Sequence, residues 1–306
     1  MRTRSSSPLR GQAGQQGGAN DQDGNGHGYR EAKVTTIPEY KPDAVTARPA
    51  ALLLDLDGTL YAGGAAIPGA PATLAWLRER GVPFRLVTNT TSRSRAMLVE
   101  RLRGYGFEAA PEEIFTATLA GAAVAHEAGH RIVAPFVPPA ALEDLVGLEL
   151  AGGTAGSASL RPDAVLLGDL GSAWSYALMQ EAFEYLMDGA ELVALSRDRY
   201  FQRDQGLALD AGPFVAALEY ATSRTARVAG KPSPDFYAAA LASLGPAGAG
   251  PAAMVGDDLW SDIEGAQRAG LAGWLVRTGK FREEVLRTSG IRPDRILSSV
   301  AALVEA

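Results

Sequence analysis

The amino-acid sequence predicts an α/β fold: a Rossmann-like, doubly wound parallel-sheet core with an inserted α/β domain and a disordered N-terminal tail. Three observations predict it. A continuous apolar run at 51–54 and strand-like runs at 82–87 and 252–255 lead into acidic or small polar residues, as buried parallel strands do where they open into a site. Segments of helical length lie between such runs and stop at glycines, among them Gly81, Gly104 and Gly129. From His130 to about Ala226 the alternation breaks, and after it the first pattern resumes, as expected for one domain inserted into another.

Residues 1–48 form the expected tail. From Gly11 to Gly28 the chain is almost entirely Gly, Gln, Asn, Asp and Ala with no branched aliphatic residue, too little apolar surface to offset the entropy of ordering. Arg2, Arg4 and Arg10 resemble the start of a secretory leader, but no apolar run follows them, so a cytoplasmic protein is expected. The 306 residues with 46% hydrophobic content suffice for two domains. A formal net charge of -6 leaves no basic footprint for nucleic acid or an anionic membrane, and no apolar run reaches the roughly 18 to 20 residues that span a bilayer.

The first strand is expected within 51–61, as an apolar run ending in two acids two residues apart. Alternation on an extended chain would turn Asp55 and Asp57 the same way and Leu56 into the core, with Gly58 turning the backbone and Thr59 hydrogen-bonding the turn. A surface Asx turn after an ordinary strand would give the same short string. Residues 61–71 are expected as a loop and 72–80 as a helix. The strand at 82–87 ends in Thr88-Asn89-Thr90, and the helix expected from Ser92 to about Arg103 would set an anion site, or a plain helix cap, beside those residues. A further helix is expected at about 118–128.

Within 130–226 strands are expected at 131–137, 164–167 and 191–195, around a helix at 172–188. That helix carries Trp174, Tyr176, Met179, Phe183, Tyr185 and Met187, more large residues than one buried face holds, so the surplus would cover the active site, meet another subunit or pack the core. The core then resumes, giving domains at 49–129 with 227–306, and at 130–226. Residues 227–229 feed Gly230-Lys231-Pro232, a helix covers about 235–244, and the strand at 252–255 runs into Gly256-Asp257-Asp258. A helix at 261–269, strands at 273–276 and 295–297 and a final helix complete the chain.

In such sheets ligands sit at the carboxyl ends of the strands, where Asp55, Asp57, Thr88, Lys231 and Asp257 are expected to meet. Carboxylates gathered in one crevice repel each other unless a cation lies among them, and an all-oxygen donor set favours Mg2+. The chain has no cysteine and only three histidines, at 27, 126 and 130. The i, i+4 spacing of His126 and His130 would suit a metal pair, but so short a match reads first as a solvated helix end. Carboxylates, Mg2+, a hydroxyl, an amide and one lysine suit phosphoryl transfer. A solvated loop lysine and an N-capping role for Asp258 or Asp262 are the simpler uses of those residues.

Asp55-Leu56-Asp57-Gly58-Thr59, Thr88-Asn89, Lys231-Pro232 and Gly256-Asp257 with Asp262 resemble, in order, the four motifs of the haloacid dehalogenase-like (HAD) hydrolases. The long insertion is similar to the C2-type cap of subfamily IIA, the branch with NagD-like nucleotidases and pyridoxal phosphatase. Segments 199–201, 206–213, 217–221, 230–234 and 276–282 resemble the group that contains phospholysine phosphohistidine inorganic pyrophosphate phosphatase and its relatives.

The resemblance implies a phosphatase for a small phosphorylated molecule. Asp55 would be the nucleophile, forming an aspartyl-phosphate, and Asp57 the proton donor and acceptor. Asp55, the main-chain carbonyl of Asp57, and Asp257 would hold Mg2+. Thr88 and Asn89 would bind phosphoryl oxygens, Lys231 would bridge phosphate and Asp55, and Asp262 would orient Lys231 or a metal-bound water. A homodimer formed partly through the cap helix near Trp174 and Phe183 is also implied. The insertion lacks the cap histidine of the pyridoxal phosphatase branch, while 196–200, Ser-Arg-Asp-Arg-Tyr, would reach a leaving group or form a solvated turn. A signalling receiver, which also uses an aspartyl-phosphate, and a non-catalytic phospho-ligand binder are the competing readings.

Overall fold

Leu52, Leu53 and Leu54 have no polar neighbour in sequence until Asp55, and such a run is stable as a strand only when covered on both faces. In the computed structural model, which describes residues 49–154, 156, 160–203 and 206–305, the strand Ala51–Asp55 is buried throughout. It lies at the interior of a six-stranded parallel sheet. The strand order is Arg295–Leu297, Ala272–Val276, Ala252–Gly256, Ala51–Asp55, Phe84–Thr88 and Ile114–Thr116. Leu54 stands in register with Val255 on one side and Leu86 on the other.

The period of two along this strand divides the core. Ala51 and Leu53 pack in a layer with Ala120, Phe236, Tyr237 and Ala240, whereas Leu52, Leu54 and Leu56 pack with Leu74, Leu77, Leu98 and Leu102. At about 1.5–3 kcal/mol for each large aliphatic side chain fully buried, the two layers fix the register in which the carboxyl end of the strand is presented.

The inserted region builds a second sheet of five parallel-paired strands, ordered Arg227–Val228, Glu191–Ala194, Ala164–Leu167, Ile132–Phe136 and Glu149–Leu150. Helices Tyr176–Met187 and Gly212–Thr222 bury Ala182, Leu186, Val215 and Leu218 against Phe136, Val165 and Leu167. The opposite face, with Val133, Leu166 and Val193, joins the layer that contains helix Ala117–Glu127 and the core strand Ala51–Asp55. A separate antiparallel ribbon pairs Tyr200–Arg203 with Gly206–Leu209.

Several local expectations change. Residues 61–71 are not simply loop: Tyr61–Ala62 pairs with Ala65–Ala66, and helix Ala70–Glu79 starts early because Pro71 suits the first turn. Helix Arg95–Gly104 is capped by Ser94, whose Oγ accepts the Met97 N–H at 3.2 Å, and not by Ser92. The helix expected at 172–188 begins at Tyr176 under a Ser175 cap. Trp174, ahead of that cap, stacks with Phe136 and Phe214 at ring-centroid distances of 6.0 and 4.7 Å, which accounts for its bulk by core packing. Strand Arg227–Val228, expected to re-enter the core, is an edge strand of the inserted sheet, which therefore ends two residues beyond the expected boundary at 226. The expected tail, 1–48, lies outside the described residues. Among the described residues no helix is long and apolar enough to cross a membrane.

Candidate active site

The carboxyl end of strand Ala51–Asp55 leads straight into a turn. Leu56 is fully buried, and its carbonyl accepts from Leu60 N at 2.9 Å and Tyr61 N at 3.3 Å, while Gly58 N donates to Tyr61 O at 2.7 Å. The strand geometry that would have turned Asp55 and Asp57 alike stops at Asp55. Asp55 is 7% exposed, whereas Asp57 is exposed, with its Oδ2 accepting the Tyr61 hydroxyl at 3.0 Å. Thr59, expected to bond the turn, is fully buried with no hydrogen-bond partner for its Oγ1 among the described residues.

Lys231 comes from a different part of the fold. It follows the edge strand Arg227–Val228 of the inserted sheet by three residues, not a core strand as expected. Its side chain is 4% exposed, and the ammonium donates to Asp55 Oδ1 at 2.6 Å and to Asp262 Oδ1 at 2.7 Å. Asp257 directly follows strand Ala252–Gly256 and is also buried. Carboxylate oxygens of Asp55, Asp257 and Asp262 lie within 4.8 Å of one another.

Burial sets the electrostatics of this cluster. It raises the Asp55 carboxyl well above its ordinary range, with Lys231 opposing and Asp262 and Asp257 reinforcing. Asp257 is pushed up to about 7 by burial and then by Asp262, against the Lys280 N–H that donates to its Oδ2 at 2.6 Å. Burial alone would lower the Lys231 ammonium, but Asp262 and Asp55 overcome it and hold the group well above its usual value. Three carboxylates around one ammonium leave a formal excess of two negative charges, 3 minus 1, when all are ionised. An all-oxygen set with that deficit fits a hard divalent cation.

Thr88 and Asn89 end the neighbouring strand, Phe84–Thr88. Thr88 is buried, and its Oγ1 accepts the Thr90 N–H at 3.2 Å. The Asn89 side chain is spent on Lys231, accepting from its main-chain N–H at 2.8 Å and donating to its carbonyl at 2.9 Å. Its amide nitrogen also stands 3.3 Å from Asp198 Oδ2 of the inserted domain.

Asp262 sits in a π-helical turn, Leu259–Glu264, where a regular helix was expected. The Ile263 N–H reaches back to the Asp258 carbonyl at 3.2 Å, and the Tyr237 hydroxyl donates to the Ser261 carbonyl. Asp258 caps the turn, accepting from Trp260 N and Ser261 N at 3.0 Å each, and takes the Lys280 ammonium at 2.9 Å. Burial would raise its carboxyl, but Lys280 and the two N–H groups lower it overall.

Motif spacing did not reveal the segment 278–280, which closes this side of the site. The Thr278 hydroxyl donates to the Gly58 carbonyl, and Lys280 N to Asp257. Gly58 and Gly279 have φ of +85° and +57°, and a Cβ on either would fall 1.9 or 2.0 Å from Asp257 Oδ2. Only their glycine identity signals so close an approach. Arg197, a candidate for the leaving group, is paired with Glu219 at 2.7 Å. His126 and His130 have separate partners, the Val146 carbonyl and Glu191.

Comparison with known proteins identifies the family. The model of the family described as haloacid dehalogenase-like hydrolase matches residues 52–149, and a HAD-hydrolase-like model matches 228–303. The chain is 43% identical over 234 residues to haloacid dehalogenase-like hydrolase domain-containing protein 2 of Rattus norvegicus, covering 76% of this chain and 85% of that one. It is 35% identical to human phospholysine phosphohistidine inorganic pyrophosphate phosphatase over 260 residues, 83% of this chain and 92% of that one. The crystal structure of glycerol phosphate phosphatase from Mycobacterium tuberculosis in complex with magnesium superposes with a TM-score of 0.72 at 32% identity, over 83% of this chain and 76% of that one. The parallel sheet, the four site segments in order and these matches together place the chain in the haloacid dehalogenase-like hydrolases, to which it belongs.

Proposed function

We propose that this enzyme is a Mg2+-dependent phosphatase that hydrolyses a small phosphorylated substrate, pyrophosphate or a phosphoamidate through a covalent aspartyl-phosphate on Asp55. The observation that carries the reading is the buried Lys231 ammonium, 2.6 Å from Asp55 and 2.7 Å from Asp262, with Asp257 in the same cluster. The phosphatase names of two relatives support it.

An Asp55 oxygen forms a bond to phosphorus as the bond from phosphorus to the leaving oxygen or nitrogen breaks, and Asp57 gives its proton to the leaving atom. Water then attacks the aspartyl-phosphate, Asp57 takes the proton, and phosphate and free Asp55 result. Lys231 holds Asp55 and offsets charge on the phosphoryl oxygens. Thr88 and Asn89 hydrogen-bond those oxygens, Asn89 through its main-chain N–H because its side chain is engaged. Asp262 orients Lys231. Asp55, the Asp57 main-chain carbonyl and Asp257 would hold Mg2+, which when bound neutralises phosphoryl charge.

The test is phosphate release, with and without Mg2+, from pyrophosphate, phospholysine, phosphohistidine, nucleoside monophosphates, sugar phosphates and pyridoxal phosphate. Release is expected to require Mg2+ and to vanish in Asp55→Asn, while Asp57→Asn loses about 10² to 10⁴ in rate. Undiminished release by Asp55→Asn overturns the proposal. A homodimer built through the inserted domain accompanies this reading, supported by Tyr176 and Met187, 84% and 57% exposed on the helix Tyr176–Met187. A monomer mass in light scattering at micromolar concentration refutes it.

A further inference from the structure

Asp57 is exposed and lies beyond the end of its strand, so the sheet does not fix its carboxyl group. Tyr61 does. The Tyr61 hydroxyl donates to Asp57 Oδ2 at 3.0 Å from a side chain only 2% exposed. The main chain of the same turn closes on itself, with Gly58 N on Tyr61 O and Tyr61 N on Leu56 O. The ring is held from outside the turn by helix Arg95–Gly104 and its C-terminal neighbour. The Arg101 guanidinium stands 5.0 Å from the Tyr61 ring centroid, and the Tyr105 ring is 5.1 Å away.

We infer that Tyr61 is a positioning residue that orients Asp57 for proton transfer to the leaving group. This rests on the reading of Asp57 as the general acid. A phenol that donates to Oδ2 occupies that oxygen and leaves the acidic proton to Oδ1, the oxygen not turned toward the buried ring. As the bond from phosphorus to the leaving oxygen breaks, the Oδ1 proton passes to that oxygen and Asp57 remains as a carboxylate. Without the phenol the carboxyl group rotates about its own axis, and the proton is correctly placed for only part of the time. The plainer alternative, a core tyrosine satisfying its hydroxyl at the nearest acceptor, predicts a different dependence on the leaving group.

That difference supplies the experiment. The kcat/KM values of the full chain with Mg2+ are measured for 4-nitrophenyl phosphate, whose leaving group departs with little protonation, and for glycerol phosphate, whose alkoxide needs the proton. Both ratios report steps up to loss of the leaving group. Tyr61→Phe, which keeps the ring against Arg101 and Tyr105, is expected to lose about 10-fold more on glycerol phosphate than on 4-nitrophenyl phosphate. Asp57→Asn should discriminate in the same direction and more strongly. Equal losses in Tyr61→Phe on both substrates, or no loss, overturn the inference when Asp57→Asn discriminates. Equal losses in Asp57→Asn overturn the acid role of Asp57, and with it the basis of this inference.

Discussion

Asn89 and Lys231, 142 positions apart, are joined by a two-point clamp in which one side-chain amide meets both the N–H and the C=O of one residue. The clamp fixes where the Lys231 side chain departs from its main chain. Asn89→Leu keeps similar volume and leaves both main-chain groups unmatched. A loss of about 1–3 kcal/mol in urea unfolding is expected, with a fall in kcat/KM of at least about 10-fold.

Lys231→Met removes the positive charge from among three buried carboxylates. Breaking a buried pair in this way typically costs about 3–5 kcal/mol, because the partner charge stays buried. Adding Asp262→Asn should restore part of that stability without restoring activity, since Asp55 still lacks its ammonium partner. Unfolding curves and phosphate release on the two single variants and the double variant test the separation.

Gly279→Ala should strike at Asp257. The left-handed backbone at φ +57° costs a non-glycine residue about 1–2 kcal/mol, and the new Cβ would collide with Asp257 Oδ2. An increase of at least about 10-fold in the Mg2+ concentration for half-maximal activity is expected, as is typical when a partner of a metal ligand is disturbed. Titration of activity with Mg2+ reads it directly.

Asp257 binds its proton more tightly in the folded protein, at about 7, than its ordinary value of 3.8. The folded state therefore holds more protons across that window, and the contribution of this group to stability is lost as pH rises from about 4 through 7. The metal-free protein should show a Tm that falls over this interval, and Mg2+ should restore it most at the upper end, where the carboxylate is ionised. At 100 times Kd the metal would add about 2.7 kcal/mol. Thermal melts from pH 4.5 to 8, with Mg2+ and with a chelator, check both slopes.

The placement of Asp55 and Asp257 at strand ends was legible because an apolar run and a second apolar run ending in Gly-Asp dictate their own backbone. Lys231 stood out by its loop with Pro232, but the strand that feeds it was assigned to the wrong sheet. The dual role of Asn89 was not legible, because its partner is the main chain of Lys231, and main-chain groups leave no mark on sequence. The π-helical turn at Leu259–Glu264 also escaped, since its apolar positions fit a regular helix and its Ser261 carbonyl is met by the Tyr237 hydroxyl from a distant segment. Strand Ile114–Thr116 is short, and helix Gly212–Thr222 opens on Gly-Pro, which reads as a turn until Pro213 is placed in the first helical turn. Arg227–Val228 was assigned to the core for want of any residue that distinguishes one parallel edge from another.

That edge strand has a mechanical consequence. Ala229 N is still bonded to the Ala194 carbonyl, so only Gly230 separates the hydrogen-bonded rim of the inserted sheet from Lys231. Gly230 itself is wedged so tightly that a Cβ there would meet the Leu195 carbonyl at 2.2 Å. The lysine is thus tied to the rim of the inserted sheet and, through the Asn89 clamp, to the core strand that ends at Thr88. A shift of the inserted domain that stretched the 2.6 Å contact between Lys231 and Asp55 would loosen the hold on the proposed nucleophile, linking domain position to reactivity through a linker of one residue.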